Sequence, residues 1–98
     1  MDKFGLPVKT YEQIKLLLNS FQEVEKVKIF GSRAKGNYKP NSDIDLVLFG
    51  ENITEKLLLH IAFDLDELST PYKFDIVDYK TISHNKFKEN IDKFALDF

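Results

Sequence analysis

The 98-residue sequence contains no cysteine, and only four glycines, three prolines and one methionine. The absence of cysteine excludes disulfide bonds and thiolate metal sites, which suits a reducing compartment. No apolar run approaches the roughly 20 residues that a membrane-spanning helix needs, and the opening stretch MDKFGLPVKT lacks the apolar core of a secretory signal. We therefore expect a soluble, cytoplasmic protein with no membrane partner.

Neither sign of charge is in large excess. Fourteen Lys and Arg residues stand against sixteen Asp and Glu residues, for a formal net charge of −2. Because non-specific binding to nucleic acid depends on many basic residues, we do not expect direct nucleic-acid binding, and any contact with a nucleotide should be local. The length and the hydrophobic fraction of 43% suit one modest core. We expect a single domain over residues 1–98.

Hydrophobic periodicity divides the chain into helices and strands. Strands are predicted at residues 26–30, 44–50 and 72–79, and the second is apolar enough to be buried on both faces. Helices are predicted after a Thr10–Gln13 capping box, over about 53–68 with Asn52 as the N-cap, and from Ser83 onward with Phe87, Ile91 and Phe94 inward. The predicted fold class is α/β (α+β): a small mixed sheet of three or four strands packed against helices, in the order α-β-α-β-α-β-α.

The stretch FGSRAKGNYKPNSDIDLVLFG, residues 30–50, begins where the first strand ends. Gly31 and Ser32 are expected to start a short helix, whose free N–H groups favour an anion such as phosphate. Gly36 permits the left-handed turn that ends this helix. Positive charge is supplied by Arg33, Lys35 and Lys39. An ordinary helix cap has the same pattern, so the turn alone does not establish a phosphate site.

A P-loop is excluded for this stretch. The motif G-x-x-x-x-G-K-[ST] requires a lysine and a hydroxyl residue after its second glycine, and Asn37 and Tyr38 occupy those positions.

Asp43 and Asp45 begin the second predicted strand. Because side chains alternate along a strand, the two carboxylates should point to the same face about 7 Å apart. They repel each other unless a cation lies between them, and oxygen ligands of this kind suit Mg²⁺, which takes substrate phosphates as its other ligands. A turn at Ser42-Asp43 with Asp45 paired to a lysine is the structural alternative, but the phosphate-type turn just upstream favours a metal site.

A third acid is offered by FDIVDY on the next predicted strand. Asp75 and Asp78 lie three residues apart and so face opposite ways, which leaves room for only one of them in the cluster. A mid-strand acid between Phe74 and Ile76 would be costly to bury without a cation, whereas Asp78 is explained as a solvated or capping residue. The predicted metal set is Asp43, Asp45 and Asp75.

Together, GSRAKGNYKPNSDIDL and the following FDIVD resemble the signature of the DNA polymerase β-like nucleotidyltransferase superfamily. The match spans about Phe30 to Asp78, and the short flanks resemble minimal nucleotidyltransferases, including antitoxin subunits encoded beside HEPN-domain ribonuclease toxins. The resemblance implies the nucleotidyltransferase fold, ATP as substrate and two Mg²⁺ ions. It also implies transfer of AMP to a tyrosine of a HEPN-domain partner, the product of a neighbouring gene, which is met in trans.

The resemblance implies nucleotide binding by Gly31, Ser32, Arg33, Gly36 and Ser42, and catalysis and metal binding by Asp43, Asp45 and Asp75. In this scheme Gly31 and Ser32 hold the β- and γ-phosphates, and Asp75 helps to deprotonate the acceptor hydroxyl. Two other functions stay open. One is a non-catalytic nucleotide-binding subunit that neutralises a HEPN partner by contact, and the other is a transferase that modifies a small molecule or RNA with a separate substrate-binding subunit.

Overall fold

A four-stranded mixed sheet with the order β3-β2-β1-β4 organises the chain. The computed structural model describes residues 2–98. Its elements are α1 (Val8–Asn19), β1 (Lys26–Phe30), α2 (Ser32–Lys35), β2 (Ile44–Phe49), α3 (Glu55–Asp66), β3 (Phe74–Asp78), a 3₁₀ turn (Tyr79–Thr81), α4 (Asn85–Phe94) and β4 (Leu96–Asp97). None of the helices in the described range is long and apolar enough to cross a membrane. This architecture confirms the predicted α/β fold class.

The strand directions bring three strand ends together. β2 pairs antiparallel with β1 and parallel with β3, and β1 pairs antiparallel with the short β4. The end of β1 and the starts of β2 and β3 therefore lie at the same end of the sheet, with β2 between the other two strands. Across this end of the sheet, Phe30 is paired with Asp45, and Asp45 with Asp75.

The central strand β2 is buried on both faces, as its apolar run predicted. Ile44, Leu46 and Leu48 belong to the main core cluster, which includes side chains from α1 and α3. Val47 belongs to a second cluster with Phe30 and with side chains of α4, among them Ile91 and Phe87. Full burial of one such side chain contributes about 1.5–3 kcal/mol, so helices are held against both faces of the sheet.

Two predicted helix starts are wrong. α1 begins at Val8, and Pro7 precedes it, so Thr10 lies inside the helix and forms no capping box. Proline fixes φ near the helical value and needs no hydrogen-bond partner for its nitrogen, which favours an early start. α3 is capped by Thr54, whose hydroxyl accepts the backbone N–H of Leu57 at 3.1 Å, and not by Asn52.

The C-terminal segment also differs from the prediction. Phe94, expected to face inward, is 50% exposed, because α4 ends there and the chain turns back to form β4. β4 pairs with the free edge of β1. Phe98 is buried instead, and its ring stacks on that of Phe4 with centroids 6.0 Å apart. A short stretch of strand pairing therefore decides which aromatic side chain enters the core.

Asp78 is buried at the end of β3, where it is 4% exposed. Its carboxylate accepts a hydrogen bond from Lys80 Nζ at 2.6 Å and caps the 3₁₀ turn through the Lys80 N–H. Lys80 Nζ also donates to the carbonyl oxygen of Ile53 at 2.5 Å. The expected capping role of Asp78 is thus confirmed, and the lysine links the end of β3 to the connection between β2 and α3.

The two ion pairs of Lys80 and Lys26 predict different effects on stability. Replacing Lys80 by methionine leaves the buried carboxylate of Asp78 without its partner. We expect Lys80→Met to lower the free energy of unfolding by about 1–3 kcal/mol. This is less than the full cost of breaking a buried ion pair, because Lys80 is partly exposed. The matched control is Lys26→Met, which removes an exposed pair with Asp97 and should cost less than about 1 kcal/mol. Urea denaturation measures both, and equal losses would show that the Asp78 carboxylate does not depend on Lys80.

Candidate active site

Asp45 and Asp75 lie side by side on one face of the sheet. They are paired in the parallel register of β2 and β3, so their side chains project to the same side. Asp43 is two residues before Asp45, just ahead of the strand, and is exposed, as is Asp75. Asp78 takes no part, because its carboxylate is engaged by Lys80. The backbone thus brings together the three acids expected to form the metal set, and their role as ligands stays a prediction.

The carboxylate of Asp45 is in an environment that disfavours negative charge. Its partial burial, together with the charges of Asp75 and then Asp43, raises its pKa from 3.8 to about 6, against a smaller opposing effect of Arg33. A divalent cation would relieve this repulsion. The all-oxygen set therefore fits Mg²⁺ in chemistry and in charge.

The acids do not form a complete metal cage. Over residues 2–98, no group of three or more acidic, histidine or cysteine side chains is arranged to hold a metal ion by itself. Mg²⁺ typically uses one or two protein carboxylates and completes its shell with water and substrate phosphates. Coordination of Mg²⁺ by these acids therefore stays a prediction.

Gly31 joins the acids to the turn that starts α2. Its backbone has φ +73° and ψ −153°, a conformation that residues with a side chain rarely adopt. A Cβ atom at this position would overlap the Oδ2 atom of Asp45. The turn expected to hold phosphates therefore lies directly against one of the acids expected to hold the metal.

α2 is a single turn of helix that ends as predicted. Gly36 adopts the left-handed conformation with φ +87°, and its N–H donates to the carbonyl oxygen of Ser32 at 2.9 Å. Lys35 is exposed, and its Nζ lies 5.7 Å from the ring centroid of Phe94. Of the two cations in α2, Lys35 is therefore the one whose charge is accessible to a ligand.

Arg33 faces away from solvent and is 2% exposed. Its Nε and Nη2 donate to the carbonyl oxygen of Ser42 at 3.1 and 2.8 Å, and Nη2 also reaches that of Pro40 at 3.3 Å. The central carbon of the guanidinium group lies 5.2 Å from the ring centroid of Tyr38 and 5.0 Å from that of Tyr72. The nucleotide-binding role of Arg33 stays a prediction, and these contacts favour a role in holding the loop before Asp43. No sequence pattern indicates the part taken by Tyr72, which is distant along the chain.

Ser42 closes the turn of the same loop. Its Oγ accepts the N–H of Lys39 at 2.8 Å, and its own N–H donates to the carbonyl oxygen of Lys39 at 3.0 Å. The hydroxyl group is thus used within the protein, although its proton can still be donated to a ligand. Its contact with the nucleotide stays a prediction.

The contact between Gly31 and Asp45 predicts a strong effect of a single methyl group. Gly31→Ala must strain the backbone and displace the carboxylate, and we expect a loss of about 2 kcal/mol or more in the free energy of unfolding. Gly36→Ala is the matched control, because its added Cβ meets no atom within 4 Å and carries only the cost of the left-handed conformation, about 1 kcal/mol. Equal losses in thermal or urea unfolding would refute the close contact.

The raised pKa of Asp45 predicts a pH-dependent effect of its neutral analogue. The folded state binds the proton more tightly than the unfolded chain, so the native protein loses stability as pH rises from 3.8 to about 6. Asp45→Asn removes this loss. In the presence of a metal chelator, we expect the variant to gain roughly 1–2 kcal/mol over the native protein at pH 8, discounted for partial exposure, and much less at pH 4. If urea denaturation showed the same gain in stability at pH 4 and at pH 8, the raised pKa of Asp45 would be contradicted.

The family model for "Polymerase beta, Nucleotidyltransferase" matches residues 12–94 of this chain. This range contains the Gly31–Ser32 turn and all three acids. The match therefore covers every residue predicted to bind the nucleotide or the metal.

A curated relative supports the same conclusion. The chain is 35% identical over 83 residues to the "Probable protein adenylyltransferase MntA" of Haemophilus influenzae, an alignment that covers 82% of this chain and 70% of the relative.

Solved structures share the fold. One is a toxin-antitoxin complex with AMP-PNP, with a TM-score of 0.72 and 21% identity over 92% of this chain and 72% of that chain. Another is a tri-AMPylated HEPN toxin of Shewanella oneidensis in complex with an MNT antitoxin, with a TM-score of 0.65 and 18% identity over 92% of this chain and 68% of that chain. At these identities the likeness concerns the fold alone. The family match and the curated relative go further: this chain belongs to the polymerase β nucleotidyltransferase family.

Proposed function

We propose that this protein is a Mg²⁺-dependent adenylyltransferase of the cytoplasm that moves AMP from ATP to a tyrosine of a HEPN-domain toxin and so acts as its antitoxin. The observation that carries the proposal is the pairing of Asp45 with Asp75 across β2 and β3, together with the close contact between Asp45 and Gly31. The curated relative is named for protein adenylyltransfer, and the Shewanella complex joins an AMPylated HEPN toxin to an MNT antitoxin. The name of the relative is in keeping with this reaction, and the Shewanella complex is in keeping with this partner.

In this proposal the turn before α2 holds the triphosphate. Gly31 leaves the backbone open to close approach, and Ser32 adds a hydroxyl donor at the start of the helix. Lys35 is the exposed cation of this helix and offsets phosphate charge. Together these groups would orient the α-phosphate toward the acids.

Asp43, Asp45 and Asp75 would hold Mg²⁺, with substrate phosphates completing its shell. When bound, Mg²⁺ would stabilise negative charge on the attacking and leaving oxygens of the displacement. The carboxylate of Asp75 would accept the proton of the tyrosine hydroxyl. The tyrosine oxygen then forms a bond to the α-phosphorus, the bond to the β-phosphate oxygen breaks, and pyrophosphate leaves.

The position of Asp75 suits an acceptor on another protein. β3 is an edge strand of the sheet, and Asp75 is exposed on it. A tyrosine side chain from a second protein could therefore approach the acids from the open side of β3. Asp45, deeper in the sheet, is only partly exposed and is less suited to receive a proton from an incoming group.

The decisive experiment incubates the purified chain with Mg²⁺, ATP labelled at the α-phosphate, and the HEPN-domain product of the neighbouring gene. We expect label on a tyrosine of the partner, located by mass spectrometry. Asp43→Asn, Asp45→Asn and Asp75→Asn should each reduce the rate roughly a hundredfold or more, the size of effect seen when one group that stabilises transition-state charge is removed. Replacing Mg²⁺ by a chelator should abolish the label.

The matched control is Asp66→Asn, an exposed aspartate at the end of α3, which should transfer at the native rate. If no label appears while the partner is still inhibited by the Asp43→Asn variant, the protein is a contact inhibitor without catalysis. Label on a small molecule or RNA in place of the partner would reassign the acceptor.

A further inference from the structure

We propose that Arg33 is a positioning residue: its guanidinium group links the Gly31–Ser32 turn to the loop that leads into Asp43. We call Arg33 and its carbonyl partners Phe4, Pro40 and Ser42 the clamp. The Phe4–Gly5 turn near the N-terminus is part of this clamp. The inference rests on the proposed function for its catalytic consequences. Its structural part, an ordered loop that depends on one buried guanidinium group, can be tested without any activity.

Arg33 is buried with its donors satisfied. Burial of a charged group is expensive unless its hydrogen-bonding groups find partners. The guanidinium group is satisfied by carbonyl oxygens of Phe4, Pro40 and Ser42, with the Phe4 oxygen 3.0 Å from Nη1. The rings of Tyr38 and Tyr72 add cation–π contacts. A guanidinium group carries five donors on three nitrogens in a fixed planar fork, whereas lysine carries three donors on one nitrogen and does not reproduce this spacing.

The clamp holds two parts of the site together. Arg33 belongs to α2, directly after the Gly31–Ser32 turn, and the carbonyl group of Ser42 belongs to the peptide bond that leads into Asp43. One side chain thus fixes the distance between the turn expected to hold phosphates and the first acid expected to hold the metal. Residues 35–41 are all exposed, and the turn between Lys39 and Ser42 is closed by hydrogen bonds within the loop itself, so Arg33 supplies its link to α2.

A tight turn near the N-terminus forms the other end of the clamp. Lys3 and Leu6 exchange backbone hydrogen bonds of 3.1 and 2.9 Å around this turn, in which both Phe4 and Gly5 have positive φ. This geometry aims the Phe4 carbonyl group at Arg33. Gly5 lies against the ring of Tyr38, so that a Cβ atom there would overlap the ring. A segment remote from the acids in sequence therefore supplies one carbonyl partner of Arg33 and packs against the Tyr38 ring, which also contacts Arg33.

The test compares Arg33→Lys and Gly5→Ala with the native protein by amide hydrogen exchange. The amides of Lys39 and Ser42 report on the loop, because both are hydrogen-bonded within its turn. We expect both variants to exchange these amides about tenfold faster or more, since local opening controls their protection. In the transfer assay, both variants should need about tenfold more Mg²⁺ for a half-maximal rate, as when a supporting partner of a metal ligand is lost. Their kcat should fall about ten- to a hundredfold, because the reacting groups are less well positioned.

Ile61→Val in α3 is the control for general destabilisation, because this buried core residue does not belong to the clamp. It should leave the Lys39 and Ser42 amides and the Mg²⁺ requirement unchanged. If Arg33 instead binds nucleotide directly, Arg33→Lys would raise KM for ATP while loop exchange and the Mg²⁺ requirement stay native, and Gly5→Ala would have no effect on either. That result would overturn the proposal. A native protein that transfers nothing would refute the proposed function alone, because hydrogen exchange would still decide the role of Arg33.

Discussion

The hydrogen bonding of β2 to two neighbours of opposite direction is the constraint on which the site depends. Because β1 runs antiparallel to β2, the turn that follows β1 lies beside the start of β2. Because β3 runs parallel to β2, the first residues of β3 arrive at the same end of the sheet. A one-residue slip in either pairing would send Asp45 or Asp75 to the other face, among the apolar side chains. The buried pattern of β2 prevents such a slip, so core packing also fixes the position of the acids.

This arrangement is held at some cost in stability. Three carboxylates share one end of the sheet, and Asp45 is both partly buried and repelled by its neighbours. Gly31 adopts a backbone conformation that other residues rarely adopt, which leaves room for the Asp45 carboxylate. Strain and repulsion of this kind collect where a binding partner can relieve them. The well-packed clusters on both faces of β2 supply the stability that lets the site remain in this state.

Much of the fold could be predicted from local patterns, and the misses have two physical origins. The two wrong helix starts are local, because Pro7 and Thr54 precede the helices in place of the predicted caps. The other misses follow from long-range contacts. The alternation of polar and apolar residues predicted β1 with its observed bounds, and Gly36 predicted the end of α2. Both features depend on neighbouring residues alone. The exposure of Phe94 could not be predicted, since it follows from pairing between β4 and the distant β1. The carbonyl partners of Arg33 could not be predicted either, since they are brought in from other segments, and its predicted contact with the nucleotide stays a prediction. Sequence periodicity carries no record of such long-range backbone contacts.

The clamp around Arg33 has a consequence for how sequence variation should be interpreted. Its three partners contribute carbonyl oxygens, which every amino acid possesses, so the groups that Arg33 binds at positions 4, 40 and 42 do not depend on the identity of the side chains there. Variation at these positions would therefore not indicate that they are dispensable, and a comparison of related sequences would emphasise the arginine while missing what it holds. In this protein, part of the information that shapes the site is carried by the path of the backbone and not by the identity of the residues along it.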